Sequence, residues 1–206
     1  MDGDHPNPRT AEARLDALEA DFEALREKLA DLGALGLEPQ ALAQRQAGQE
    51  DKLSLIVFSG SLDRLIAAFV LATGAAAMGM KVSMFFTFWG TAALRRDADR
   101  VKKTLLERMF GWMLPKGSRR LPLSQMNMAG GGPLMIRYIM KKKGVASVEE
   151  MMELAGELGV TVYVCSMSMD LLGMKEAEMY DFPGLSYCGV AKFLETAAPG
   201  KITMFV

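Results

Sequence analysis

The stretch KLSLIVFSGSLDRLIAAFVLATGAAAMGMKVSMFFTFWG, residues 52–90, decides the fold class. Lys52 to Phe58 is an apolar run that enters the turn Ser59-Gly60-Ser61, the pattern of a buried strand. Leu62 to Met78 is a long alanine-rich run stopped by Gly79, and Lys81 to Phe88 is a second strand, of valine and phenylalanine. Strand, helix, strand is the unit that builds a parallel sheet, because parallel neighbours need a long crossover. Residues 65–80 carry no charge, but a membrane span needs roughly 20 apolar residues. Asp63, Arg64 and Lys81 bracket this shorter run, so it reads as a core helix whose small residues allow close approach.

Downstream, the alternation breaks at residues 95–143, a basic insertion. Within it Val101, Leu105, Met109, Trp112 and Met113 share one helical face. Pro115 to Pro122 and Gly130 to Pro133 are loop signals, and Leu134 to Lys143 is a further short helix. Ser147-Val-Glu-Glu150 is a capping box that opens a helix to Leu158, with Gly159 as its stop. Val160 to Val164 is the third strand, with Cys165 at its carboxyl end. Ser186 to Ala198 reads as a helix with Cys188 near its start, and Ile202 to Val206 as a final strand. The expected fold is α/β: an open, mostly parallel sheet of four to five strands with helices on both faces.

Upstream, Leu15, Leu18, Phe22, Leu25, Leu29 and Leu32 form a heptad seam behind Thr10 as cap, ended by Gly33, Gly36 and Pro39. So narrow a seam favours association between copies over packing on its own domain. Residues 1–51 are therefore expected to be a coiled-coil-like arm and linker, and residues 52–206 the α/β domain.

Charge is blocked. Residues 1–51 carry a net −7, residues 95–143 a net +10 and residues 144–206 a net −6, within a chain of net −1. The basic block offers a face for an anionic partner, an acidic segment of another subunit, or solvent. Few aromatics accompany its cations and no module motif stands out, which disfavours nucleic acid. The acidic, polar start lacks the pattern of a secretory signal, so a cytoplasmic protein is expected.

Only Cys165 and Cys188 are present, which argues against a disulfide framework, and two thiols cannot make a structural zinc site. The single histidine, His5, lies in the polar tail, which argues against a His-based triad or metal centre. No metal or cofactor is expected.

In a parallel sheet the strand carboxyl ends share one edge, where ligand sites gather. Ser59-Gly60-Ser61, Thr87-Phe-Trp-Gly90 and Cys165-Ser-Met-Ser-Met-Asp170 all fall there. A helix N-terminus after Cys165, capped by Ser166 or Ser168, would favour a thiolate. On the residues alone, a buried structural cysteine has equal weight. Gly60, Ser61, Phe88 and Trp89 are candidates to support or wall the cysteine. Cys188 is either packing or a second thiol, and the latter requires it within disulfide reach of Cys165.

Residues 52–90 together with VYVCSMSMDLLGMK (162–175) resemble the DsrE/DsrF/DsrH-like family, in its branch with an extended middle region, also labelled peroxiredoxin-like. The resemblance spans roughly residues 52–206, and FFTFWG together with CSMSMD carries it. It implies oligomers and a cysteine, here Cys165, that accepts sulfur as a persulfide and passes it to a carrier such as a TusA-like protein. Cys165 is then expected to be solvent-reachable at the sheet rim. The alternative is a non-catalytic oligomeric scaffold, or a protein that uses the basic insertion at an anionic membrane surface.

Overall fold

The computed structural model describes residues 17–28, 30, 48–96, 101 and 103–206. The chain divides into two units, Met1–Gln49 and Glu50–Val206. In the first, residues 17–28 form helix α1, on which Leu18, Phe22 and Leu25 are exposed. The other seam residues, Leu15, Leu29 and Leu32, lie outside the described residues, as do residues 97–100 and 102 of the basic insertion.

The second unit is built on five strands: β1 (Glu50–Val57), β2 (Lys81–Phe86), β3 (Thr161–Cys165), β4 (Leu185–Cys188) and β5 (Gly200–Phe205). Their order is β4-β3-β2-β1-β5, and every pairing is parallel. The chain marches outward from β1 to β4, then returns to the far side of β1.

Helix α2 (Leu62–Ala77) makes the first crossover. It buries Leu65, Ala68, Phe69, Ala72 and Ala75 against the sheet while Val70 and Leu71 stay exposed, so the uncharged run is one face of a core helix. Among the described residues no helix is long and apolar enough to cross a membrane. Helix α3 (Leu105–Met113) opens on a capping box between Thr104 and Glu107, so Val101, expected on its face, precedes it. Helix α4 (Gly131–Lys142) follows, then α5 (Val148–Glu157), which opens on the capping box expected at Ser147 and Glu150. Helix α6 (Ser166–Leu172) leaves β3 directly, and α7 (Val190–Ala197) joins β4 to β5.

The two sheet faces are covered unequally. Leu53, Leu55, Val57, Met84, Phe86, Val162 and Val164 point into the main core with α2, α5 and α6. The residues between them, including Ile56, Phe85, Tyr163 and Cys165, point the other way, where a smaller cluster forms with Phe193 and Ala197 of α7. Phe193 stacks on Phe85 with ring centroids 4.7 Å apart.

Two expectations are corrected. Gly131 to Pro133, read as a loop, form the first turn of α4. Ser186 to Cys188, read as the start of a helix, belong to the edge strand β4, and the helix begins only at Val190 behind Gly189. The strand has four residues, too short to display a period of its own, and its register partners on β3 lie 23 positions earlier.

Candidate functional site

The carboxyl ends of β1, β2 and β3 meet at one edge, as parallel pairing requires. The turns after β1 and β2 pack backbone to backbone: Gly90 N–H donates to Phe58 O at 2.9 Å and Thr87 N–H to Val57 O at 3.0 Å. A Cβ at Gly60 would lie 2.6 Å from Trp89 O, and one at Gly90 only 2.3 Å from Val57 O. Gly60 therefore admits the Trp89 backbone. Phe88 holds a left-handed φ of 44° and its ring packs 5.5 Å from that of Phe58, while Trp89 is 47% exposed. Neither Phe88 nor Trp89 belongs to the hydrophobic cluster around Cys165.

Cys165 is at once the last residue of β3 and the N-cap of α6. The strand-to-helix junction expected there is present, but neither candidate serine caps it. Ser166 is the first helical residue, and Ser168 is fully buried with its hydroxyl 2.9 Å from that of Thr87, which ties α6 to the end of β2. Ser61 is the N-cap residue of α2, its hydroxyl 2.9 Å from that of Ser59.

The Cys165 side chain turns toward α7, not toward the edge, and is 3% exposed among Phe85, Phe193 and Ala197. This corrects the expectation of a solvent-reachable thiol: odd positions of β3 face the α7 side, and α7 covers the sulfur. Two cavities, of about 630 and 550 Å³, are lined by other residues.

Cys188, moved from helix to strand, becomes the register partner of Cys165. Neighbouring strands lie about 4.8 Å apart, inside the Cα separation of about 4.4–6.8 Å that a disulfide spans. Partners in register present their side chains to the same sheet face. Both thiols are free, with Cys165 buried and Cys188 half-buried. Burial pushes the Cys188 thiol up, the adjacent Cys165 sulfur adds to this and Lys192 opposes it. The sequence left this juxtaposition open as the rival to packing, because it depends on the pairing of β4, which no local signal announces.

The chain is similar to several known proteins. The protein is 43% identical over 159 residues to the uncharacterized protein YrkE of Bacillus subtilis (strain 168), covering 77% of this chain and 98% of the relative. It is 37% identical over 162 residues to the sulfur carrier protein DsrE2 of Allochromatium vinosum, covering 77% of this chain and 99% of that one. The crystal structure of the YchN protein from E. coli superposes over 75% of this chain and 98% of its own, with a TM-score of 0.44 at 10% identity. The model of the DsrE/DsrF/DrsH-like family matches residues 49–205, the whole α/β unit from one residue before β1 to the end of β5, and the chain belongs to that family.

Proposed function

We propose that this protein relays sulfane sulfur as a persulfide on Cys165. The observation that carries the reading is the Cys165 and Cys188 register pair at the carboxyl edge of the sheet, in a chain whose relative is a sulfur carrier. The Cys165 thiolate attacks the outer sulfur of a donor persulfide and the donor leaves as a thiol. The thiolate of an acceptor, such as a TusA-like protein, then attacks the outer sulfur on Cys165 and restores the cysteine. No net oxidation occurs. Cys188 acts as a second thiol, able to close a disulfide on a loaded Cys165 with release of hydrosulfide.

Because α7 covers Cys165, loading requires α7 to move or an incoming chain to displace it. Self-association follows the same face: Val190 and Leu194 on α7 and Phe205 on β5 are exposed apolar groups beside an unpaired edge strand.

The test is intact-mass analysis of the wild type, Cys165→Ser and Cys188→Ser after exposure to a persulfide donor. The wild type and Cys188→Ser gain sulfur and Cys165→Ser does not; equal gain by Cys165→Ser refutes the assignment.

A second reading, a membrane-surface protein, draws on α3, none of whose residues is buried and on which Leu105 and Trp112 are each 83% exposed. Flotation with anionic liposomes that vanishes on deletion of residues 95–143 would favour it.

A further inference from the structure

We propose that the cavity between the start of the insertion and α3 is a binding site for a phosphate-like oxyanion, separate from the thiols. Arg95 and Lys103, whose side chains are 5% and 8% exposed, share one carboxylate. Arg95 Nη2 lies 3.4 Å from Glu178 Oε1, and Lys103 Nζ lies 2.6 Å from Glu178 Oε2. Burial pushes the Glu178 carboxyl up, but Lys103, the Lys175 backbone and Arg95 more than reverse this, so it stays charged. Among the described residues, two buried cations thus face one buried anion. Arg95 Nη1 reaches the carbonyls of Gly111 and Pro115 at 3.4 and 3.3 Å, and its buried Nε finds no acceptor among the described residues. A buried guanidinium N–H without an acceptor is costly, and an oxyanion in the adjoining cavity would supply one.

The space for one exists. These groups line a cavity of about 220 Å³ that Arg96, Arg108, Lys116 and Trp112 complete, and Glu178 is its carboxylate among the described residues. That volume exceeds several waters at about 30 Å³ each, room for a tetrahedral oxyanion with part of its hydration. The guanidinium fork of Arg95 matches two oxygens of such an ion.

Gly111 supplies an independent sign. It sits inside the nine-residue α3, where glycine weakens a helix. A Cβ there would point at both buried cations, 3.4 Å from Lys103 Nζ and 3.7 Å from Arg95 Nη2. The glycine leaves open the space in front of them. Its Cβ would make ordinary contacts, so Gly111→Ala folds while it narrows the cavity.

The ion has two sources, free inorganic phosphate or sulfate and the phosphate of a lipid headgroup, and the experiment separates them. Calorimetric titration of the full chain with phosphate and sulfate, against chloride at equal ionic strength, is repeated for Gly111→Ala, Arg108→Gln and Cys165→Ser. Vesicles of phosphatidylglycerol and of phosphatidylcholine form the second arm. The proposal expects saturable binding of one oxyanion per chain, at least tenfold weaker in Gly111→Ala and Arg108→Gln and unchanged in Cys165→Ser. Binding of phosphatidylglycerol vesicles that free phosphate competes away assigns the ion to lipid; its absence beside saturable phosphate binding assigns it to a soluble ion. No saturable response in either arm, or a response equal in wild type, Gly111→Ala and Arg108→Gln, overturns the site.

Discussion

Cys165 combines two positions, the end of an interior strand and the cap of the next helix, and its side chain faces the thinner side of the sheet. The first of these was legible from Val160 to Val164 running into CSMSMD. So was a helix opening after it, but the direction of the side chain was not, because which face the odd residues of β3 meet depends on where α7 lies. Other residues permit sharper tests. Glu107 bonds Lys175 Nζ at 2.7 Å and also accepts from the Thr104 N–H, and these hold its carboxyl at about 2 instead of its ordinary 4.5. A carboxylate whose folded pKa is depressed adds stability that is present above its unfolded value and lost as pH falls toward the folded one. Glu107→Gln is therefore expected to flatten the fall in unfolding free energy between about pH 4.5 and 2, read from urea curves at stepped pH. An equally steep fall would show that the pair stabilises nothing. Gly173, with φ +61°, leaves no room for a Cβ, which would lie 2.6 Å from Glu107 Cβ. Gly173→Ala should cost about 1–3 kcal/mol in the same urea assay, and an unchanged midpoint would contradict the packing of α3 on α6.

At the scale of elements, α7 covers the sulfur, and Phe193, 1% exposed, is its anchor through the stack on Phe85. Phe193→Ala removes a buried aromatic and should destabilise by about 3–5 kcal/mol. In a Cys188→Ser background it should also speed modification of Cys165 by a thiol reagent under native conditions. A lower stability with an unchanged modification rate would mean that α7 is not the barrier. The helices announced by the capping box at Ser147 and by the alanine-rich run are where the sequence places them, because caps and periodicity are local signals. The strand β4 is not local: Leu185 to Cys188 are held by pairing with β3, and the four residues between Gly184 and Gly189 carry too little pattern to separate strand from helix. The juxtaposition of the two thiols stayed one of two alternatives for the same reason, although both cysteines were in view. The Arg95, Lys103 and Glu178 cluster was hidden too, since it joins residues 83 positions apart.

For the molecule as a whole, the unequal faces matter most. Among the described residues, one side of the sheet is closed by three helices, while the other has α7 alone beside β5, whose residues are almost all exposed. A face of this kind calls for a second copy, so light scattering of the eluted protein should report an oligomer. Leu194→Glu with Phe205→Glu should shift it to a smaller species, and an unaltered mass would place the contact elsewhere. The same face contains the register pair, which brings association and access to Cys165 onto one surface. The basic block, visible as net charge in the sequence, folds partly inward, where its cations share Glu178 instead of forming a purely solvated face. The most direct trial of the central claim is peptide mapping of the wild-type protein, alkylated under native conditions immediately after contact with a persulfide donor. The account predicts an alkylated persulfide on the peptide that bears Cys165. An extra sulfur confined to the Cys188 peptide, or on neither, would contradict it.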